Sequence, residues 1–502
     1  MSDAFSELSH REALKITLGV LLPLFLGSLD QTIVAAALPV IGRDFGDLQN
    51  VPWVATAYLL TGTAVTPVVG KLCDIHSRRA TMLAAITVFL AGSIVAALAP
   101  SLVVLILGRA IQGCGGGSLI VVAMTILGDI AAPKDRAKYY TYFVVVFASA
   151  GALGPALGGF FAQYLDWTVI FWINLPLGLL SLLISNVPLR RLPRHERRHR
   201  LDLVGAGLVM MATATLMIAI DLAGRRFAWG SVPILGLAAL AVASWAGFAL
   251  RLRTAAEPLV PLGVLSNPVV IVAVLANAAS ASSVVVLNLF MPMFLQLLIG
   301  LGASHSGLLL MTLMFSFNVG AGISGYITGR VRRYKVFPMI GVLLALSATV
   351  ALGFAADRFG LVTIEALLTI IGLGTGTVPP MVTVALQNAV ERTDLGAATA
   401  SLNFVRSLAG TIFVGLFGAL LAAKLGPGIG TMGGLHDTLS TAIGEPSALA
   451  QTFQIVFFGT SAGFALSLVA LWRLEERPLR ASRPVGASGD LTVAQSANDS
   501  IP

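Results

Sequence analysis

Charged residues are scarce in this chain of 502 residues. Asp, Glu, Lys and Arg make up only 11% of it, whereas a typical soluble domain carries about 25%. Hydrophobic residues reach 56%, and apolar runs of membrane-spanning length follow one another from end to end. No polar stretch is long enough for a separate globular domain. The composition therefore excludes a soluble protein and predicts an all-α integral membrane protein.

Cysteine and recognisable catalytic motifs are scarce as well. Cys73 falls in a predicted connection and Cys114 in a predicted span, which predicts neither a disulfide nor a metal cluster. The pattern H-E-x-x-H at residues 195–199 lies in a short arginine-rich loop without an obvious third ligand, and we interpret it as a basic connection. The phosphate-binding pattern G-x-x-x-x-G-K-S/T is missing, which excludes ATP hydrolysis by that route. We expect no metal, no cofactor and no enzymatic activity.

Fourteen apolar segments are long enough to cross a membrane core of about 30 Å. An even number of spans puts both termini on one side. Of the 32 Lys and Arg residues, 25 lie in connections on the side of the termini and five lie opposite, while Arg109 and Arg406 lie inside spans. This asymmetry predicts cytoplasmic termini, and it ties the net charge of +8 to anionic lipid headgroups rather than to nucleic acid. The predicted spans are 16–41, 51–71, 80–99, 102–128, 139–163, 168–189, 202–222, 230–250, 268–298, 305–327, 336–356, 360–388, 397–423 and 452–473.

The spans are grouped as six, two and six. A basic connection, Leu189–Arg200, follows the sixth span. We therefore predict an N-terminal six-helix bundle with its basic cytoplasmic loop, an inserted helix pair and a C-terminal six-helix bundle, an organisation typical of membrane proteins built from repeats. The last residues are rich in small and polar side chains and predict a disordered cytoplasmic tail. The corresponding segments are residues 1–200, 201–253, 254–480 and 481–502.

Asp30 is the only ionisable residue in the first predicted span. A carboxylate at this depth costs about 2.5–3.5 kcal/mol on insertion scales, so an intramembrane acid is a functional-site hypothesis by default. Arg109 in the fourth span cannot shed its proton and therefore needs a partner, for which Asp30 and neighbouring backbone carbonyls are both candidates. Two roles stay open for Asp30. It either binds and releases a proton, or it forms a static ion pair with Arg109 that stabilises the bundle.

Other polar side chains inside predicted spans are candidates for lining a central cavity. Interhelical hydrogen bonding is the alternative role for most of them. Glu365, near the outer end of the twelfth span, is also a second candidate proton site. Among the Phe, Met and Trp residues of the spans, these groups predict a roomy and largely apolar cavity that suits lipophilic, often cationic molecules. The remaining candidates are Asn174, Asn277, Asn288, Gln296, Asn318, Gln387, Asn403 and Arg406.

Six short motifs occur in order along the first six spans. They are Leu29–Val34 with Ala37-Leu38-Pro39, then Trp53 with Tyr58 and Leu59, Gly70-x-Leu72-x-Asp74 with Arg78-Arg79, Leu107–Gly113, Gly154-Pro155-x-x-Gly158-Gly159, and Phe171–Gly178. Together they resemble the major facilitator superfamily, specifically its fourteen-helix drug–proton antiporters, over nearly the whole chain. Ile75 and Ser77 depart from the family pattern, which usually has Arg and Gly at these two places.

The resemblance implies a function and a set of partners. It implies a proton-coupled exporter that works by alternating access in a bacterial cytoplasmic membrane, with a lipophilic small molecule, protons and membrane lipids as partners. Asp30 and Arg109 would couple protons to transport. Gly70, Asp74, Arg78 and Arg79 would form the gating loop, and Gly154, Pro155, Gly158 and Gly159 the antiporter motif.

Two alternative functions stay open. The first is an exporter of an endogenous lipid, siderophore or other metabolite, with a periplasmic adaptor as a further partner. The second is a transport-inactive membrane sensor or scaffold, although no segment is large enough for a regulatory domain.

Overall fold

The computed structural model describes residues 10–47, 50–131, 133–192, 201–224, 226–301, 303–328, 330–331, 333–355, 358–425 and 446–478. Within these ranges the chain is almost wholly helical and contains fourteen segments that are long and apolar enough to cross a membrane. The predicted all-α, fourteen-span membrane architecture is therefore confirmed. The expected tail at residues 481–502 and the H-E-x-x-H pattern at residues 195–199 lie outside the described residues.

The described helices follow the order of the predicted spans. Two short 3₁₀ turns, Pro188–Arg191 and Arg392–Asp394, precede α8 and α16. The α-helices are α1 (His10–Asp44), α2 (Pro52–Ile75), α3 (Arg78–Ala97), α4 (Leu102–Ile130), α5 (Pro133–Tyr164), α6 (Val169–Trp172), α7 (Asn174–Asn186), α8 (Leu203–Leu222), α9 (Val232–Thr254), α10 (Leu262–Ser266), α11 (Pro268–Leu297), α12 (Ala303–Thr328), α13 (Val336–Ala355), α14 (Leu361–Gly376), α15 (Val378–Ala389), α16 (Leu395–Leu425) and α17 (Pro446–Arg473).

The sequence predicts helix breaks at Gly154-Pro155 and at Pro379-Pro380, and in the structure the sixth and the twelfth spans are interrupted. The sixth consists of α6 and α7, which meet at Ile173. The twelfth consists of α14 and α15, which meet at Thr377, directly before the Pro379-Pro380 pair that cannot donate backbone hydrogen bonds. The Thr377 hydroxyl donates to the Gly374 carbonyl at 2.6 Å and so satisfies one acceptor at the break. By contrast, α5 runs through Pro155 without interruption.

The helices form two six-helix bundles with the α8–α9 pair between them. In the first bundle α4 packs against α2 and α3, and α1 packs against α5; in the second, α14 packs against α12 and α13, and α11 against α16 and α17. The inserted pair lies across both, because α8 contacts α2 and α16. An apolar cluster that includes Val68, Phe248 and Phe404 fills this junction, and the Trp245 and Phe404 rings lie 6.0 Å apart.

The two bundles touch through α2 and α16 on the side where α1 begins and α17 ends, which we call the terminal side. A β-carbon added to Gly70 would lie 2.3 Å from the Ala400 β-carbon and 2.8 Å from the Gly396 carbonyl oxygen. Only glycine permits an approach this close, because the obstacles are a β-carbon and a backbone carbonyl that no rotamer change can move. Gly70 therefore allows α2 and α16 to pack directly on each other.

Replacing Gly70 by alanine should push α2 and α16 apart and disfavour closure on the terminal side by about 1–3 kcal/mol, the usual penalty of overpacking. The distance between spin labels on the exposed residues His76 and Glu391 reports this change, in a background that lacks Cys73 and Cys114. We expect a longer or broader distribution in Gly70→Ala. Gly207→Ala is the control, since an added β-carbon there meets nothing within 4 Å, and identical distributions in both variants would contradict the prediction.

Candidate functional site

Asp30 and Arg109 form a direct ion pair in the interior of the first bundle. Asp30 is fully buried and Arg109 is 1% exposed, and Arg109 Nη1 lies 2.5 Å from Asp30 Oδ2. The guanidinium is held on its other sides as well, because Nε donates to the Val54 carbonyl at 3.1 Å and the Tyr58 ring lies 4.3 Å below it. The aromatic face adds a cation–π attraction. The charge of Arg109 is thus held in place by α1 and α2 together.

The second carboxylate oxygen of Asp30 is also fully used. Asp30 Oδ1 accepts from Gln112 Nε2 at 2.7 Å and from Asn174 Nδ2 at 2.9 Å. Both amides also donate to the Ser93 hydroxyl, at 2.7 and 3.3 Å. Every one of these groups donates to Asp30, so the network is complete when the acid is ionised. Adding a proton to Asp30 would turn one of its two acceptor oxygens into a donor, which faces only donors in this network.

Small residues bring the contributing helices into this position. Arg109 and Gln112 lie three residues apart and therefore share one face of α4. A β-carbon on Gly92 would lie 2.3 Å from the Gln112 backbone nitrogen, so glycine allows α3 to pack directly on α4 at the level of the cluster. Asn174 enters because α7 begins at the interruption after Ile173.

The glycines of the fifth-span motif lie against α1 beside Asp30. A side chain at Gly154 would overlap Thr32, and one at Gly158 would overlap the Ile33 carbonyl. The Thr32 hydroxyl donates to the Ala150 carbonyl of α5 at 3.0 Å. Gly159 of the same motif has open space at its β-carbon position. Gly154 and Gly158 thus allow α5 to pack within three residues of the acid, and Gly159 does not contribute to that contact.

Asp74, one of the residues predicted to form a gating loop, connects the two bundles on the terminal side. Asp74 accepts hydrogen bonds from the backbone nitrogens of Gly396, at 2.9 Å, and Ala397, at 2.8 Å. These are unpaired donors of the first turn of α16, where the helix dipole favours a negative charge. A carboxylate of the first bundle therefore caps a helix of the second.

Arg78 and Arg79 have different partners. Arg78 is 1% exposed and contacts two acids, Asp74 at 3.3 Å and Asp129 at 2.8 Å. Arg79 instead donates to the Asn186 side chain, at 2.9 and 2.5 Å. Arg78 therefore joins the acid that caps α16 to the end of α4, whereas Arg79 fastens α3 to the end of α7.

The other polar candidates do not join the Asp30 cluster, with the exception of Asn174. Gln387 Nε2 donates to the Met124 carbonyl and to Thr399, both at 3.2 Å, and so links the bundles. Glu365 is exposed and accepts from Thr312 at 3.3 Å. Gln296 and Arg406 are half-buried and Asn277 is buried. The remaining three, Asn288, Asn318 and Asn403, donate to carbonyls four residues earlier in their own helices.

Sequence reasoning did not assign a role to three members of these networks. Gln112 had a usable signal, its spacing of three residues from Arg109 on one helix. Asp129 lies at the end of a predicted span and Ser93 is a small polar residue in another. Neither position distinguishes these two from residues that bond only within their own helix.

Comparisons with known proteins agree with this architecture. The family model of the Major Facilitator Superfamily matches residues 20–414. Multidrug transporter protein MdtP of Bacillus subtilis is 32% identical over 412 residues, which cover 81% of this chain and 75% of that protein. Multidrug resistance protein 3 of the same organism is 29% identical over 441 residues, which cover 87% of this chain and 86% of that protein.

Solved structures share the fold at much lower identity. The human organic anion transporter MFSD10 matches with a TM-score of 0.63 and 16% identity, covering 91% of this chain and 99% of its own. A double tryptophan mutant of XylE matches with a TM-score of 0.65 and 14% identity, covering 94% and 97% of the two chains. At these identities the likeness extends to the fold alone.

The fifth-span motif yields a matched pair of variants. Gly158→Ala forces a methyl group onto the Ile33 carbonyl, so we expect overpacking to lower stability by about 1–3 kcal/mol. Gly159→Ala adds the same methyl group in open space and should leave stability unchanged or slightly higher. The midpoint of thermal unfolding in detergent measures both. Equal midpoints for the two variants would show that α5 does not pack on α1 in this register.

Proposed function

The chain belongs to the Major Facilitator Superfamily of membrane transporters, and on that premise we propose that it is a proton-coupled antiporter. It exports lipophilic small molecules by alternating access, and its terminal side faces the cytoplasm of a bacterium. The excess of Lys and Arg on that side supports the orientation. The drug-transporter names of the relatives from Bacillus subtilis support the lipophilic cargo.

The observation that carries the proposal is the complete engagement of the Asp30 carboxylate by Arg109, Gln112 and Asn174. Protonation of Asp30 neutralises the partner of Arg109 and turns one carboxylate oxygen from an acceptor into a donor, which weakens the bonds that hold α1 to α4 and α7. The bound proton therefore changes the packing of the helices that must move. A group of this kind couples proton movement to conformation, because the two states of the network favour different helix arrangements.

The contacts on the terminal side define one conformation of the transport cycle, in which the bundles are closed on that side. With Asp74 on the first turn of α16 and Gly70 against Gly396, the space between the bundles is closed toward the cytoplasm. Opening requires release of the two backbone hydrogen bonds and separation of α2 from α16. Protonation of Asp30 from outside, followed by this opening, releases the proton inward and admits cargo.

The free energy released when one proton enters the cell is large enough to drive export against a steep concentration gradient. A charge that crosses 100 mV is worth about 2.3 kcal/mol, and one unit of pH gradient adds about 1.4 kcal/mol. One proton can therefore concentrate a neutral compound roughly a few hundred-fold, since each 1.4 kcal/mol corresponds to about a factor of ten. No second energy source is needed for this task.

We expect Asp30→Asn to abolish proton-coupled transport, because the amide cannot exchange a proton at this position. The measurement is substrate-dependent proton flux in proteoliposomes, screened with a panel of lipophilic compounds. Asp30→Glu, which keeps the carboxylate, should retain part of the flux. Undiminished proton-driven export by Asp30→Asn would rule out Asp30 as the coupling group.

The static ion-pair role makes a different prediction for the same variant. Leaving Arg109 buried without its partner costs about 3–5 kcal/mol, so a purely structural Asp30 would lower the unfolding midpoint and abolish every activity together. Substrate counterflow without a proton gradient separates the two roles. A coupling role leaves counterflow in Asp30→Asn intact. If that variant does not fold, proton release by wild type on addition of substrate in weak buffer still tests the coupling.

A further inference from the structure

Arg406 lies deep in the membrane region. It is the twelfth residue of α16, about 16 Å along the axis from Leu395. In the part of the chain that the structure describes, its guanidinium makes no hydrogen bond or ion pair. The side chain is half-buried rather than sealed in. Because arginine stays protonated, a positive charge is left uncompensated at this depth.

Three acids of the described spans are occupied elsewhere. Asp30 is bonded at both oxygens within its own cluster, and Asp129 pairs with Arg78. Glu365 is exposed near the opposite side of the membrane and bonds Thr312. Arg406 thus differs from Arg78 and Arg109, each of which has a carboxylate from the chain itself.

The Arg406 side chain points between the two bundles. Phe404, two residues earlier, packs on Trp245 of the inserted pair, and two residues correspond to about 200° around a helix. Arg406 therefore lies on the opposite face. Its electrostatic neighbour is Tyr140, a buried residue of α5 in the first bundle. The guanidinium thus faces α5 near Tyr140, whose ring packs on Phe143 in the buried core of the first bundle.

We propose that Arg406 binds the acidic headgroup of an amphiphilic anion, such as a carboxylate or a phosphate, whose apolar part lies along α5. This inference rests on the proposed export function and replaces the expectation of a cationic cargo. A planar guanidinium matches a carboxylate or phosphate in shape and charge, whereas a lipophilic cation at the same place would be repelled. Ala400, which closes on Gly70, lies six residues below Arg406, so the headgroup would rest above the closed terminal side.

The charge of the cargo has a consequence for its transport. With the cytoplasm negative, the membrane potential drives an anion outward, and each negative charge that leaves across 100 mV adds about fortyfold to the attainable gradient. Exchange of one anion for one proton moves two charges in the favourable direction. Its rate should therefore depend more steeply on the membrane potential than that of a neutral compound.

The test uses the full chain in nanodiscs and three probes that share a pyrenebutyl group. Pyrenebutyrate is anionic, pyrenebutanol is neutral and pyrenebutyltrimethylammonium is cationic. Energy transfer from tryptophan to pyrene measures binding without a proton gradient. We expect wild type to bind pyrenebutyrate at least about tenfold more tightly than pyrenebutanol, with the cation weakest.

Substitution assigns the preference to Arg406. Arg406→Gln should weaken pyrenebutyrate binding by about tenfold to a hundredfold, the range that a charge-assisted hydrogen bond supplies, and leave pyrenebutanol unchanged. Arg406→Lys keeps the charge and should keep most of the preference. Arg253→Gln, which removes an exposed arginine at the end of α9, is the control and should match wild type.

Three results would overturn the inference: no preference for the anion in wild type, an unchanged preference in Arg406→Gln, or an equal loss of affinity for all three probes. The third would assign Arg406 a purely conformational role. If anion binding depends on Arg406 but no compound drives proton flux, the inference stands and the exporter function fails. If a neutral or cationic compound drives flux without any anion preference, the exporter function stands and the inference fails.

Lipid headgroups and soluble amphiphiles share this chemistry. Repeating the titration in phosphatidylcholine nanodiscs with and without phosphatidylglycerol separates the two sources. Competition by the anionic lipid identifies a lipid headgroup as the occupant. Binding that the lipid does not affect identifies a soluble amphiphile.

Discussion

The ion pair between Asp30 and Arg109 is the interaction on which the interior of the first bundle depends. Neither charge can remain alone in a medium of low dielectric constant, since breaking a buried pair costs about 3–5 kcal/mol. The remaining lone pairs and protons also need partners, and they find them on four helices around Asp30 of α1: Val54 and Tyr58 on α2, Ser93 on α3, Gln112 on α4 and Asn174 on α7. The pair therefore fixes where those helices lie. A change of charge at Asp30 would alter the contacts of all these helices at once.

A second network closes the terminal side, and it differs from the first because it joins a side chain of one bundle to the backbone of the other. Asp74 bonds two backbone nitrogens of α16, and Arg78 links Asp74 to Asp129. Hydrogen bonds to a charged group contribute about 1.5–3 kcal/mol each, so the closure is firm but breakable. Asp129 and Arg109 both belong to α4, about 30 Å apart along its axis. One rigid helix thus carries groups of both networks, and a displacement of α4 at the Asp30 cluster also moves the partner of Arg78.

Much of this architecture follows from the sequence, and the reasons are visible in particular residues. Apolar runs predict the number of spans, because the thickness of the bilayer sets their length, and the distribution of Lys and Arg predicts the orientation. Asp30 and Arg109 stood out because ionisable groups inside spans are energetically costly.

The interruption at Ile173 had no such signal in the sequence, although it positions Asn174. The contact of Asp74 with Gly396 and Ala397 joins residues more than 300 positions apart, and no local pattern encodes it. Arg79, grouped with Arg78 by sequence, instead bonds Asn186 because it lies on another face of α3.

The buried arginines show why a transporter benefits from leaving one of its charges unpaired. A guanidinium that already holds a carboxylate of the chain, as Arg78 and Arg109 do, offers an incoming anion nothing unless that pair is first broken. Arg406, half-buried and without such a pair among the described residues, exchanges only solvent for its ligand. No carboxylate of the chain then has to be displaced, and an anion that arrives gains most of the attraction. A fixed acid at the same place would stabilise the protein more but would compete with every anionic cargo. The unpaired charge is therefore better explained by an exchangeable partner than by stability.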